Sequence, residues 1–164
     1  MSPLSAWSVF FNTAAESAAT LAGLVMVALS VNVQRIIAHN HLPARASGAV
    51  SALVMVLVLS LAALIPQPLS DYALELDAAA ALAWLLHILT ARHVIRGHVE
   101  NGRPRGETVI AMILGQAQVL PLTIGAILLT LGHDIGLYWT AGSIVAVLMV
   151  SVINAWVLLV EILR

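Results

Sequence analysis

The sequence predicts an all-α integral membrane protein: a single transmembrane domain over residues 1–164, built as a bundle of five helices. Three observations carry this expectation. The chain is 61% hydrophobic and only 9% charged, against about 25% charged in an ordinary soluble domain. Five apolar stretches each approach the roughly 20 residues that a helix needs to cross a bilayer. The basic residues are all arginine, and they fall only in alternate loops. With a mean hydropathy of +1.00, the chain has too little polar surface to meet water on all sides, so its natural solvent is lipid.

The first span is expected over about residues 7–35. MSPLSAWSVFF has no basic leader region, and the apolar run after it is longer than a signal-peptide core, so it reads as a retained helix. The second, SGAVSALVMVLVLSLAALI, covers about 47–65. The third, YALELDAAAALAWLLHILTARHV, covers about 72–94. Its alanines favour helix strongly but add little hydrophobic drive, and Glu75 and Asp77 sit in its first turns. The fourth, TVIAMILGQAQVLPLTIGAILLTL, covers about 108–131 and contains Pro121, which removes one backbone hydrogen bond and predicts a kink. The fifth, YWTAGSIVAVLMVSVINAWVLLVEIL, covers about 138–163.

Orientation follows from charge. Arg35 and Arg45 flank the first loop, Arg92, Arg96, Arg103 and Arg105 fill the third, and Arg164 closes the chain. The second and fourth loops carry no Lys or Arg. Five passes put every arginine on one side, and the positive-inside rule makes that side cytoplasmic. The N-terminus is then outside and the C-terminus cytoplasmic. Trp7, Phe10, Phe11, Tyr72, Tyr138 and Trp139 gather at the outer boundary as an aromatic belt, while Trp84 and Trp156 lie deeper, as packing residues. The arginine side is suited to anionic lipid.

The polar residues within the spans are the candidate functional groups. On a helix turning about 100° per residue, Asn12, Glu16, Thr20, Gly23, Val27, Ser30 and Gln34 lie within roughly 40° of one line. Glu16 is therefore part of a stripe. Ala15, Ala19 and Gly23, with Ala18 and Ala22, add small-xxx-small spacing that admits a neighbouring backbone. A carboxylate facing lipid costs a few kcal/mol, so Glu16 is expected to face protein or water, as a proton carrier, a cation ligand or a lock between helices. Gln116, Thr123 and Thr130 share a face of the fourth span. Ser143, Val147, Asn154 and Glu161 share one on the fifth. Gln116 and Asn154 lie at similar depth and are candidates to meet. His87 stands in the third span as either a packing residue or a proton-handling group. The candidates for an ion pathway are thus Glu16, Asn12, Thr20, Ser30, Gln116, Thr123, Asn154 and His87, and each of the uncharged ones also suits interhelical hydrogen bonding.

Other chemistry finds little support. No cysteine is present, which excludes disulfides and thiolate sites. His39 and His41 in the first cytoplasmic loop and His93 and His98 in the third could converge on a metal, but their spacing is not a ligand signature, and solvated loop histidines are the simpler reading. No nucleophile elbow, HExxH, P-loop or Rossmann glycine run occurs, so neither an enzyme nor a cofactor is expected. The net charge of -1 gives no reason to expect nucleic acid.

ATLAGLVMVALSVNVQRI, followed by LPARASGAV, resembles a group of small bacterial multi-pass membrane proteins, some labelled modulator of FtsH protease. The likeness covers the first third of the chain. It implies a bacterial inner-membrane protein and transfers no catalytic residue. Two functions fit. In the first, a homo-oligomer conducts or transports a small ion or proton past a ring of Glu16 side chains. In the second, the chain is a non-transporting partner or modulator, and the stripe is a packing interface.

Overall fold

The computed structural model describes the backbone of residues 3–31, 42–101 and 105–163, and side chains over 3–31, 47–89, 91–92 and 113–156. Six helices occur among them: α1 (Pro3–Ala6), α2 (Ser8–Val31), α3 (Leu42–Leu64), α4 (Leu69–Asn101), α5 (Arg105–Thr130) and α6 (Gly136–Leu163). Among the described residues there is no strand. Five of the helices contain stretches long and apolar enough to cross a membrane: Ser8–Val31, Ser47–Leu64, Leu69–Leu89, Ile113–Thr130 and Gly136–Trp156.

The helix ends follow from local chemistry. Pro3 opens α1, where a missing N–H costs nothing. A single turn at Trp7 joins α1 to α2, with Phe11 N donating to Trp7 O at 3.0 Å. Helix α3 stops at Leu64 because Pro66 and Pro68 follow. Its end is closed by Gln67, whose Nε2 donates to Ala62 O at 2.9 Å. Asp71 lies in the first turn of α4, where a carboxylate complements the helix dipole. Helix α5 ends on Gly132, at φ 80°. Gly132 N bonds Leu129 O at 2.9 Å and His133 N bonds Leu128 O at 2.8 Å, the paired closing bonds of a left-handed C-cap.

The boundaries differ from the hydropathy reading in informative places. A short helix, α1, precedes the first span, whose helix α2 opens at Ser8, and the expected end of that span falls outside the described residues. Helix α3 begins at Leu42 rather than near 47, with Pro43 accommodated in its first turn. Helix α4 is the largest departure: it has 33 residues, about 50 Å at 1.5 Å per residue, well beyond a hydrocarbon core of about 30 Å. Its apolar part, Leu69–Leu89, matches the core; the remainder, to Asn101, is polar sequence. Pro121 lies inside α5, which continues through it.

The chain divides into two compact units, one of residues 1–69 and 144–164, the other of residues 70–143. In the first unit α2 packs along α3, and α1 touches both. The buried face of α2 is Phe11, Ala14, Ala15, Ala18 and Val25. From α3 come Ala49, Leu53, Val56, Ser60 and Ala63, in the alternating four- and three-residue steps that keep one stripe of a helix against a neighbour. Ile144, Val147, Val150 and Ser151 of α6 are also buried. Trp156, expected as a packing residue, is exposed instead. Three alanines on α2 keep this core thin, so part of the small-residue spacing read from the sequence serves packing within the chain.

In the second unit α5 and α6 approach closely where side chains are absent. A Cβ added at Gly125 would lie 2.7 Å from Thr140 Oγ1 and 2.9 Å from Gly136 O, and one added at Gly136 would lie 2.6 Å from Gly125 O. Thr140 is fully buried and donates to Gly136 O at 3.0 Å. Ser143 Oγ donates to Gln118 O at 2.7 Å. That carbonyl is next to Ala117 O, the acceptor that Pro121 leaves without its usual amide.

Candidate functional site

The candidate residues fall into two arrangements, one in each unit. The first is the polar stripe of α2. Asn12, Glu16, Thr20, Gly23, Val27 and Ser30 are all exposed, on the side of the helix away from Phe11, Ala14, Ala15, Ala18 and Val25. The reason lies in composition. The alanine face packs closely on α3, and the stripe, about half a turn away, is left outward. Gly23 has open space around it: a methyl added there would meet no atom within 4 Å. Ala19 is exposed beside it.

The stripe satisfies most of its polarity within its own helix. Asn12 Nδ2 donates to Glu16 Oε1 at 2.9 Å. Thr20 Oγ1 donates to the backbone oxygen of Glu16 at 2.8 Å. Thr13 does the same to Val9 O at 3.0 Å, and Ser30 to Met26 O at 2.8 Å. A hydroxyl bonded back four residues exposes only its methyl or methylene side, a usual solution for Ser and Thr in apolar surroundings. The Glu16 carboxylate remains the group with capacity to spare: it offers about four lone-pair positions, and Asn12 occupies one.

The second arrangement is a polar seam between α4 and α5. Thr130 Oγ1 donates to Asp77 Oδ2 at 2.7 Å. Trp84 Nε1 donates to Thr123 Oγ1 at 2.9 Å, and Thr123 Oγ1 in turn donates to Val119 O at 2.9 Å. Gln116 Nε2 lies 3.3 Å from His87 Nε2. Gln116, Thr123 and Thr130 recur every seven residues, and so do Asp77 and Trp84. Seven residues are close to two helical turns, so each step returns to the same facing line. The imidazole of His87 stands edge-on to Trp84, with centroids 6.1 Å apart and planes at 84°. It fits because position 115 is glycine: a Cβ there would come within 2.7 Å of His87 Nδ1 and closer still to Cε1.

The sequence therefore grouped Gln116, Thr123 and Thr130 usefully but did not find Asp77, Trp84 or Gly115 as their counterparts. The matching seven-residue step from Asp77 to Trp84 was the available signal. The partner of Gln116 in this seam is His87. Asn154 is half-buried. His39, His41 and Gln34 lie outside the described residues, as do the side chains of His93, His98 and Glu161.

No protein-family model, curated protein or solved structure matches the chain. Fold and composition define the class: over its described residues this is an all-helical chain with five helices long and apolar enough to span a membrane, which suggests a multi-pass membrane protein.

Proposed function

We propose that the chain assembles as a homo-oligomer in a bacterial inner membrane and conducts or transports a small ion or proton along the α2 stripe, with Glu16 as its charged centre. One observation carries the reading: Glu16 lies on the face of α2 turned away from its own unit's core, and its carboxylate is only partly engaged, by Asn12. Hydrocarbon is a poor environment for that group. A second copy of the same face, or water held between copies, removes the penalty and repeats Glu16 as a ring. Asn12, Thr20 and Ser30 line the same track, while Gln116, Thr123, His87 and Asn154 support the bundle. In this arrangement the N-terminus is outside, the C-terminus cytoplasmic, and the cytoplasmic arginines bind anionic lipid.

A second reading, a non-transporting partner or modulator, is favoured by a different observation. Thr20 and Ser30 turn their hydroxyls onto their own backbone, which suits a dry contact with another helix. Flux separates the two. Purified protein in proteoliposomes, wild type beside Glu16→Gln, is assayed for proton and cation flux across a pH range. Flux that is lost in the variant supports conduction. A folded wild type that passes no ion overturns it, and co-purification from membranes then tests the partner reading.

A further inference from the structure

The His87 seat on the α4–α5 seam has a property that packing alone does not need. Gln116 Nε2 is an amide nitrogen and can only donate. With the amide in this orientation, facing His87 Nε2 at 3.3 Å, that nitrogen accepts when the neutral ring carries its hydrogen on Nδ1. If the ring takes a second proton, Nε2 becomes a donor and the two groups oppose each other. Turning the Gln116 amide over brings Oε1 to the same place, and the bond re-forms in the reverse sense. The amide's two ends are nearly the same size, so α4 and α5 need not move.

We propose that His87 is a reversible proton-binding site inside the second unit, seated by Gly115 and served in both charge states by Gln116. The reading is independent of Glu16. Its surroundings are simple: α5 carries no charged side chain from Ile113 to Thr130, and α6 carries none from Gly136 to Ser143. On α4, Arg92 is the nearest charged residue on one side and Asp77 on the other. Asp71, Glu75, His133 and Asp134 stand at the far end, at the start of α4 and in the α5–α6 turn. No fixed carboxylate within the described unit pairs with the ring and locks it in the charged state. The proton binds to Nε2 with no bond broken other than the hydrogen bond that reverses.

Trp84 supplies the readout. An imidazolium edge-on to an indole at this separation quenches its fluorescence, whereas neutral imidazole does so weakly. Tryptophan emission of the full chain in lipid nanodiscs is followed as the pH is lowered, in wild type, His87→Gln and Trp84→Phe. The expected result is a one-proton fall in wild-type emission on acidification that is absent from both variants. The same fall in His87→Gln, or flat wild-type emission, overturns the proposal. A second measurement needs no variant: nitrogen-15 spectra of labelled histidine at the alkaline end of the titration should show the Nδ1–H tautomer for His87. The Nε2–H tautomer there overturns the reversal.

Discussion

The approach of α5 to α6 at Gly125 and Gly136 makes a prediction that can be worked from distances. Alanine at position 125 places a methyl 2.7 Å from Thr140 Oγ1, 2.9 Å from Gly136 O and 3.0 Å from Thr140 N. Two of these three atoms are backbone and cannot swing aside. Ordinary contact needs about 3.5 Å, so the helices must part by about 0.5 Å. Separation of that size forfeits about a quarter of each facing dispersion contact, and overpacking of this kind costs about 1–3 kcal/mol. Alanine also stabilises a helix by about 1 kcal/mol relative to glycine, which would hide part of the loss. Gly142→Ala supplies the correction. Gly142 is exposed on α6 with nothing within 4 Å, so it gains the same propensity without the clash. The difference between the two variants is then the overpacking alone, about 1–3 kcal/mol against Gly125→Ala. Reversible unfolding in mixed detergent micelles, followed by far-UV circular dichroism, measures it. Equal stability of the two variants would refute the claim that glycine sets this crossing.

Two further outcomes follow from the hydrogen bonds. Ser60 is fully buried and its hydroxyl has no partner among the described residues. Leaving a buried hydroxyl unpaired costs about 1–3 kcal/mol, so Ser60→Ala should leave thermal stability unchanged or raise it, and a clear drop in melting temperature would mean that the hydroxyl is bonded. Asp77 and Thr130 should be coupled: in a double-mutant cycle of Asp77→Ala and Thr130→Ala the interaction energy is expected at about 0.5–1 kcal/mol, the range typical of membrane interhelical bonds. Strictly additive single variants would remove this end of the seam.

How much of this was legible depends on which physical signal each feature leaves. The apolar stretches showed because burial in lipid needs length and composition. The full extent of α4 did not show, since hydropathy reports what sits in hydrocarbon and says nothing about where hydrogen-bonded backbone stops. The stripe on α2 was visible as a period, but its direction was not. That required knowing that Ala14, Ala15 and Ala18 were the side buried in the first unit. The pairing of Gln116 was the hardest. The register between α4 and α5 brings His87 to Gln116, and register is a property of two helices that no single helix displays.

The two polar patterns differ in where their atoms find partners, and that difference bears on function. On α4 and α5 the side chains reach across to another helix: Asp77 to Thr130, Trp84 to Thr123, His87 to Gln116. Removing one member strands the other, which is how groups that fix a packing behave. On α2 the bonds stay within the helix, from Asn12 to Glu16 and from Thr20 and Ser30 to their own backbone. Such a face asks nothing of a neighbour to be satisfied, except at the carboxylate. Glutamine at position 16 keeps an oxygen for Asn12 Nδ2, so Glu16→Gln preserves the internal bond and removes only the charge and the proton site. An effect of that substitution on flux is therefore assignable to the charge and not to a disturbed helix, and the absence of any effect would leave the stripe as a surface whose work is contact.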